Sequence, residues 1–126
     1  MARIVVVDDD PDILDIVCIS LEAMGHEVGR AGNGHEGVAL VRSSLPDLVL
    51  MDVMMPDMNG YEATAALKAD VATAPIPVLA LTAKAMRGDE ERGREAGMDA
   101  YITKPFRLSR MLDVVDRFLG QAHRVT

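Results

Sequence analysis

The sequence predicts a doubly wound α/β domain of (βα)5 type, and three observations carry that expectation. Runs that are apolar at every position, at residues 4–7, 48–51 and 78–81, have the composition of parallel strands covered by helices on both faces of their sheet. Amphipathic stretches of helical period lie between them. The chain has 126 residues, 49% of them hydrophobic, which suffices for one compact core and leaves no room for a useful second.

The elements follow in order. After the strand at 4–7, Ile13, Leu14, Val17, Leu21 and Met24 recur at helical spacing over residues 11–24, with Asp10 placed to cap and Pro11 at the first helical position. Gly25 marks the stop. A weaker strand at 26–31 leads through Gly32-Asn33-Gly34 to a helix over 35–44. The strand at 48–51 is followed by a helix over 60–69, and the strand at 78–81 by one over 85–95. Gly97 ends that helix ahead of a second weak strand at 100–103. The last helix, 108–119, carries Leu108, Met111, Leu112, Val115, Phe118 and Leu119 on one face. Right-handed crossovers between such units build an open parallel sheet with helices on both faces. One domain over residues 1–121 with a short polar tail over 122–126 is expected.

The formal charge of −7 disfavours a nucleic-acid reader, which needs clustered Lys and Arg, and favours a cation or a basic partner. Cys18 is the sole cysteine, so an intramolecular disulfide and a cysteine zinc cage are excluded. Its neighbours Ile16, Val17 and Ile19 mark it as a core residue. Arg3 and the short run after it make neither a signal peptide nor a membrane span, and a cytoplasmic protein without membrane or direct nucleic-acid partners is expected.

Ligands of open parallel sheets sit beyond the carboxyl ends of the strands. Asp8, Asp9 and Asp10 follow the first apolar run, Asp52 the third, Thr82 the fourth and Lys104 the fifth. Acids, a hydroxyl and an ammonium thereby meet at one rim. Crowded carboxylates repel one another unless a hard cation neutralises them, and Mg²⁺ is the natural candidate, completed by phosphate oxygens. A carboxylate can also act as nucleophile and form an aspartyl phosphate. Asp52 is best placed for it, with Lys104, Thr82 and backbone N–H groups after Asp52 stabilising the product oxygens.

These residues resemble the receiver domains of two-component signalling from Ile4 to about Leu119. The resemblance rests on Val7-Asp8-Asp9-Asp10, on Leu50-Met51-Asp52-Val53-Met54-Met55-Pro56 with Gly60, on Leu81-Thr82-Ala83 and on Lys104-Pro105-Phe106. It implies a flavodoxin-like five-stranded sheet in order 2-1-3-4-5. It also implies that Asp52 is the phosphoacceptor, that Asp9 binds Mg²⁺ directly with Asp8 acting mainly through water, and that the Met54 backbone carbonyl is a further ligand. Mn²⁺ could substitute. Thr82 matches the switch hydroxyl, Tyr101 the aromatic that turns inward with it, and Lys104 the phosphate-binding lysine. Pro105, Pro56 and Gly60 shape the site, and the small Ala83 leaves the acyl phosphate accessible. Met54 and Lys84 stand at positions that tune hydrolysis, and neither orients an attacking water, so a persistent phospho-form is expected.

The same resemblance implies a histidine kinase or histidine phosphotransfer protein as donor. A downstream protein target would dock on the surface formed by the helix near residues 85–95, the strand at 100–103 and the final helix, where Met86, Tyr101 and Met111 are adaptable apolar groups, although a Met at helical spacing, Met111 above all, is more often core than contact surface. The protein would catalyse its own phosphorylation and slow dephosphorylation without being a conventional turnover enzyme. The pattern is shared by stand-alone receivers and by those of hybrid kinases. Three rivals stand beside this reading. Gly32-Asn33-Gly34-His35-Glu36-Gly37 matches a dinucleotide fingerprint. Asp8-Asp9-Asp10 contains the D-x-D of haloacid dehalogenase-type phosphatases, with Asp8 as nucleophile and Asp10 as acid. A pseudo-receiver would use the fold only for docking, although there the acid pair, acceptor or lysine is typically eroded.

Overall fold

The computed structural model describes residues 2–82, 89–103 and 107–123, with side chains described for all of these except 89, 90 and 121–123. Five strands, β1 (Arg3–Val7), β2 (Glu27–Ala31), β3 (Leu48–Asp52), β4 (Val78–Thr82) and β5 (Ala100–Thr103), alternate with five helices, α1 (Pro11–Ala23), α2 (Gly34–Ser44), α3 (Gly60–Ala69), α4 (Asp89–Ala96) and α5 (Leu108–His123). The strands form one parallel sheet in the order β2-β1-β3-β4-β5, the expected flavodoxin-like arrangement.

Burial along the strands explains why the central runs were the clearest in the sequence. Every residue of β3 and β4 is buried, whereas the edge strands β2 and β5 are partly open to solvent. Alternate side chains divide the core into two clusters. Val5, Val7, Val49, Met51, Val78 and Ala80 pack with Val38 and Val41 of α2 and Ala63 and Leu67 of α3. Ile4, Val6, Leu48, Leu50, Leu79, Leu81 and Ile102 pack on the other face with Val17 and Leu21 of α1 and Met111, Val115 and Leu119 of α5. Each fully buried aliphatic side chain contributes about 1.5–3 kcal/mol. The Arg3–Glu27 ion pair, 3.5 Å long with both partners exposed, contributes about 0–1 kcal/mol, so burial decides the fold.

Local chemistry sets the helix ends. Asp10 accepts from the backbone N–H of Asp12 and Ile13 at the start of α1, and Asn33 accepts from Glu36 at the start of α2. At α3, Asn59 and Glu62 form a reciprocal capping box. Gly25 and Gly97, both at positive φ, follow α1 and α4 as expected. The last helix runs past the expected stop at Leu119, through Gly120, to His123. Residues 85–88 of the fourth expected helix lie outside the described residues. No described helix is long and apolar enough to cross a membrane.

Two predictions follow from the packing. Leu45 caps α2 in the left-handed region, with φ 47° and ψ 65° and a largely exposed side chain. Leu45→Gly should therefore raise unfolding stability in urea by about 0.5–1 kcal/mol. Cys18 is fully buried, and desolvation pushes its thiol up to about 11 from 9.0. At pH 8 alkylation of the native protein should be a small fraction of the rate in urea-unfolded protein, and equal rates would show that the site is open.

Candidate phosphoryl and metal site

Parallel register brings the strand ends together. Val7 of β1 is paired with Met51 of β3, so the chain leaves β1 into Asp8 beside Asp52, the last residue of β3. The carboxylates of Asp8, Asp9 and Asp52 each offer an oxygen, and the three oxygens lie within 4.8 Å of one another. Asp8 and Asp52 are 1% and 3% exposed, whereas Asp9 is open to solvent. Carboxylates crowded to this separation repel one another. A hard divalent cation fits this set: the donors are all oxygens, among the described residues no thiolate or imidazole joins them, and the open side at Asp9 leaves room for retained water.

The neighbouring acid has a different task. Asp10 spends its carboxylate on the N-terminus of α1, and its own N–H donates to Asp8 Oδ1 at 2.9 Å. It stands outside the carboxylate group, which leaves the dehalogenase-type reading without its acid. Two glycines of the dinucleotide fingerprint, Gly34 and Gly37, serve close packing. A Cβ at Gly37 would lie 2.7 Å from Val7 Cγ2, and one at Gly34 would lie 2.6 Å from the Met58 carbonyl oxygen. They let α2 approach β1 and the loop that follows Asp52.

That loop is tightly built. The Met54 N–H points to Asp52 Oδ1 at 3.4 Å, and the Met54 side chain is 70% exposed, so any role of Met54 at the rim belongs to its backbone. Pro56 accepts from the N–H of Met58, and Asp57 turns the chain at φ 67°. Gly60 returns it by donating to the Val53 carbonyl at 3.0 Å. A Cβ there would collide with the Asp52 carbonyl oxygen and lie 2.9 Å from Val53 Cα. Gly60 is thus a steric requirement of the Asp52 backbone.

Thr82 ends β4 at 2% exposure, in register with Thr103 and one strand from Asp52. Strand alternation places it on the face of Ala80 and the half-buried Tyr101, which packs against the cluster containing Met98. Ala83, Lys84, Met86, Lys104 and Pro105 lie outside the described residues. Met111, for which a core position is the favoured expectation over contact surface, is fully buried against the sheet at 0% exposure.

Sequence reasoning passed over Tyr61, Arg92 and Gly93. The Arg92 guanidinium lies over the Tyr61 ring at 4.6 Å from its centroid, and Gly93 leaves the space that the Tyr101 ring fills. No short-range signal marks either contact, since the partners come from different elements. Thr64 is another residue without a sequence signal: its hydroxyl is buried and makes no hydrogen bond to the described residues.

Comparison with known proteins accords with this geometry. Residues 4–116 match the family model of the response regulator receiver domain. The chain is 42% identical over 120 residues to protein PilH of Pseudomonas aeruginosa, covering 95% of this chain and 99% of that protein. It is 42% identical over 125 residues to the DNA-binding dual master transcriptional regulator RpaA of Synechocystis sp., covering 99% of this chain and 52% of that regulator. It therefore spans about half the length of that relative. Among solved structures it is similar to the receiver domain of the sensor histidine kinase PA1611 from Pseudomonas aeruginosa, whose structure has a magnesium ion coordinated in the active site cleft. The TM-score is 0.88 at 31% identity, covering 94% of this chain and 98% of that one.

The steric role of Gly60 is testable against an internal control. Gly60→Ala should lose about 1–3 kcal/mol of unfolding stability because the new methyl meets backbone that cannot rotate away. Gly120→Ala, in open space on α5, should gain about 0.5–1 kcal/mol. Parallel denaturation curves measure both.

Proposed function

The chain belongs to the response regulator receiver family of two-component signalling, and from that premise we propose that it is a phosphorylation switch whose acceptor is Asp52. The observation that carries the proposal is the meeting of Asp8, Asp9 and Asp52 at one rim, two of them buried, with Thr82 on the adjoining strand.

In this reading Asp8, Asp9, Asp52 and the Met54 carbonyl hold Mg²⁺, or Mn²⁺ in its place, which when bound neutralises charge on the phosphoryl oxygens. The donor is a phosphohistidine of a histidine kinase or phosphotransfer protein. A carboxylate oxygen of Asp52 attacks the phosphorus, the P–N bond breaks, and its electron pair stays on the imidazole nitrogen, which takes a proton from solvent. The loop closed by Gly60 fixes the Asp52 backbone, so the nucleophile need not be ordered at the moment of transfer. Lys104 and the Thr82 hydroxyl engage the product oxygens. Thr82 moves towards them, and Tyr101, on the same face, follows.

The downstream partner docks on the α4-β5-α5 face. A cavity of about 370 Å³ lined by Arg94, Met98, Asp99, Ala100 and Tyr101 supports that placement, since a turn of the Tyr101 ring changes its wall. The protein catalyses its own phosphorylation and slow loss of the phosphoryl group, and its output is a change of partner. Of the two positions that tune hydrolysis, Lys84 lies outside the described residues and Met54 contributes an exposed thioether, which neither accepts nor relays the proton a hydrolytic water must lose.

A panel of histidine kinases labelled on their histidines with radioactive phosphate tests the reading. Wild-type protein should take up hydroxylamine-sensitive label with Mg²⁺ present and lose the ability when the metal is chelated. Asp52→Asn should take up none, and equal labelling of the variant would refute the acceptor assignment. Once donor is removed the label should persist for minutes or longer, and decay within seconds without a phosphatase would overturn the expected persistence.

A further inference from the structure

Two neighbouring residues of α4 touch two aromatic rings that belong to different parts of the molecule. Arg92 lies over Tyr61, 4.6 Å from the ring centroid. At the next residue, Gly93, a Cβ would lie 2.5 Å from Tyr101 Cζ and 2.8 Å from Tyr101 Cε2, so the Tyr101 ring rests directly on the α4 backbone. Tyr101 is the ring that the proposed switch moves. Tyr61 stands at the other end of the machinery. It follows Gly60, whose backbone is packed on Asp52 and Val53 and donates to Val53, and the Asn59–Glu62 capping box fixes its helical turn. The Tyr61 ring is 7% exposed and packs in the same cluster as Val53 and Met55. Its position is therefore tied to the backbone of the phosphoacceptor loop.

The helix between these rings is lightly held. Its sequence, Asp89-Glu90-Glu91-Arg92-Gly93-Arg94-Glu95-Ala96, offers almost no apolar surface, and among residues 91–96 only Gly93 is buried. An element with so little burial has a small local stability, so one contact of modest strength is a large share of what positions it.

We propose that Tyr61 and Arg92 are positioning residues that couple the Asp52 loop to α4, as a second link that runs beside the one through Thr82 and Tyr101. The stack holds the first turn of α3, and through Gly60 the loop that follows Asp52, in the arrangement that receives a phosphoryl group. In return, occupancy of the site shifts the register of Arg92 on Tyr61 and with it the Gly93 seat of Tyr101. Because binding couplings are reciprocal, a loss of the stack must appear as a loss of affinity at Asp52. The proposal rests on the reading of Asp52 as acceptor.

The test uses the full chain with Mg²⁺ and beryllofluoride, which imitates the acyl phosphate. In wild-type protein the Arg92 Nε–H resonance should move on addition of beryllofluoride, and in Asp52→Asn it should not. Arg92→Gln should weaken beryllofluoride binding roughly two- to fivefold, the Boltzmann factor of an exposed cation–π contact, and Arg92→Lys should lose less. In a Tyr61→Leu background, which keeps apolar volume, Arg92→Gln should have no further effect. The same factor in both backgrounds, an unchanged affinity, or an Nε–H resonance indifferent to beryllofluoride would overturn the coupling while leaving the acceptor assignment intact. If wild type and Asp52→Asn respond to beryllofluoride alike, the acceptor assignment itself fails and the coupling falls with it.

Discussion

The parallel pairing of β1 with β3 is the constraint on which the rest of the molecule depends. With Ile4 opposite Leu48 and Val7 opposite Met51, the two strands end at the same rim, and Asp8, just past β1, becomes a neighbour of Asp52, the last residue of β3. A shift of this register by one residue would turn Leu48, Leu50 and Asp52 to the opposite face and break up both core clusters at once. The apolar burial of β1 and β3 thus pins carboxylates that would otherwise separate. Hydrophobic packing provides what electrostatics opposes, and a bound cation would relieve the opposition.

Close backbone approach is the second means by which the fold serves the rim. Gly37 lets α2 settle on Val7, Gly34 admits the Met58 carbonyl, and Gly60 sits on the carbonyl of Asp52. The last two contacts lie at the loop 53–60 and hold its two ends, although Met54, Pro56 and Asp57 stay exposed. The opposite condition holds at α4, which is charged almost throughout and little buried. A rigid rim beside a lightly held helix is what a switch requires: the chemical event needs fixed geometry, and its report needs an element that small energies can move.

Much of this was legible from residue order. The strands at 4–7, 48–51 and 78–81 were found within one residue at each end, because strands buried on both faces carry their signal in composition alone. Asp10, Gly25 and Gly97 were read correctly as helix punctuation, since caps depend on a few adjacent residues. Asp8, Asp9 and Asp52 were singled out by their place after strands. Met111 recurs at helical spacing within the apolar stripe of its helix, which favours core over contact surface, and it is core. The glycine pattern at 32–37 was open to a cofactor reading until its neighbours were known.

By itself the sequence determined the alternation of strands and helices, their caps, and the set of acids and hydroxyl that the strand ends present, all governed by period and turn chemistry over a few residues. The tertiary structure decided which rings face which cations, why Gly60 and Gly93 bear no side chain, and how Asp8, Asp9 and Asp52 come within 4.8 Å. The reason is physical. Arg92 and Tyr61 belong to separate helices, and their meeting is fixed only when both have packed on the same sheet, a condition to which no local pattern responds.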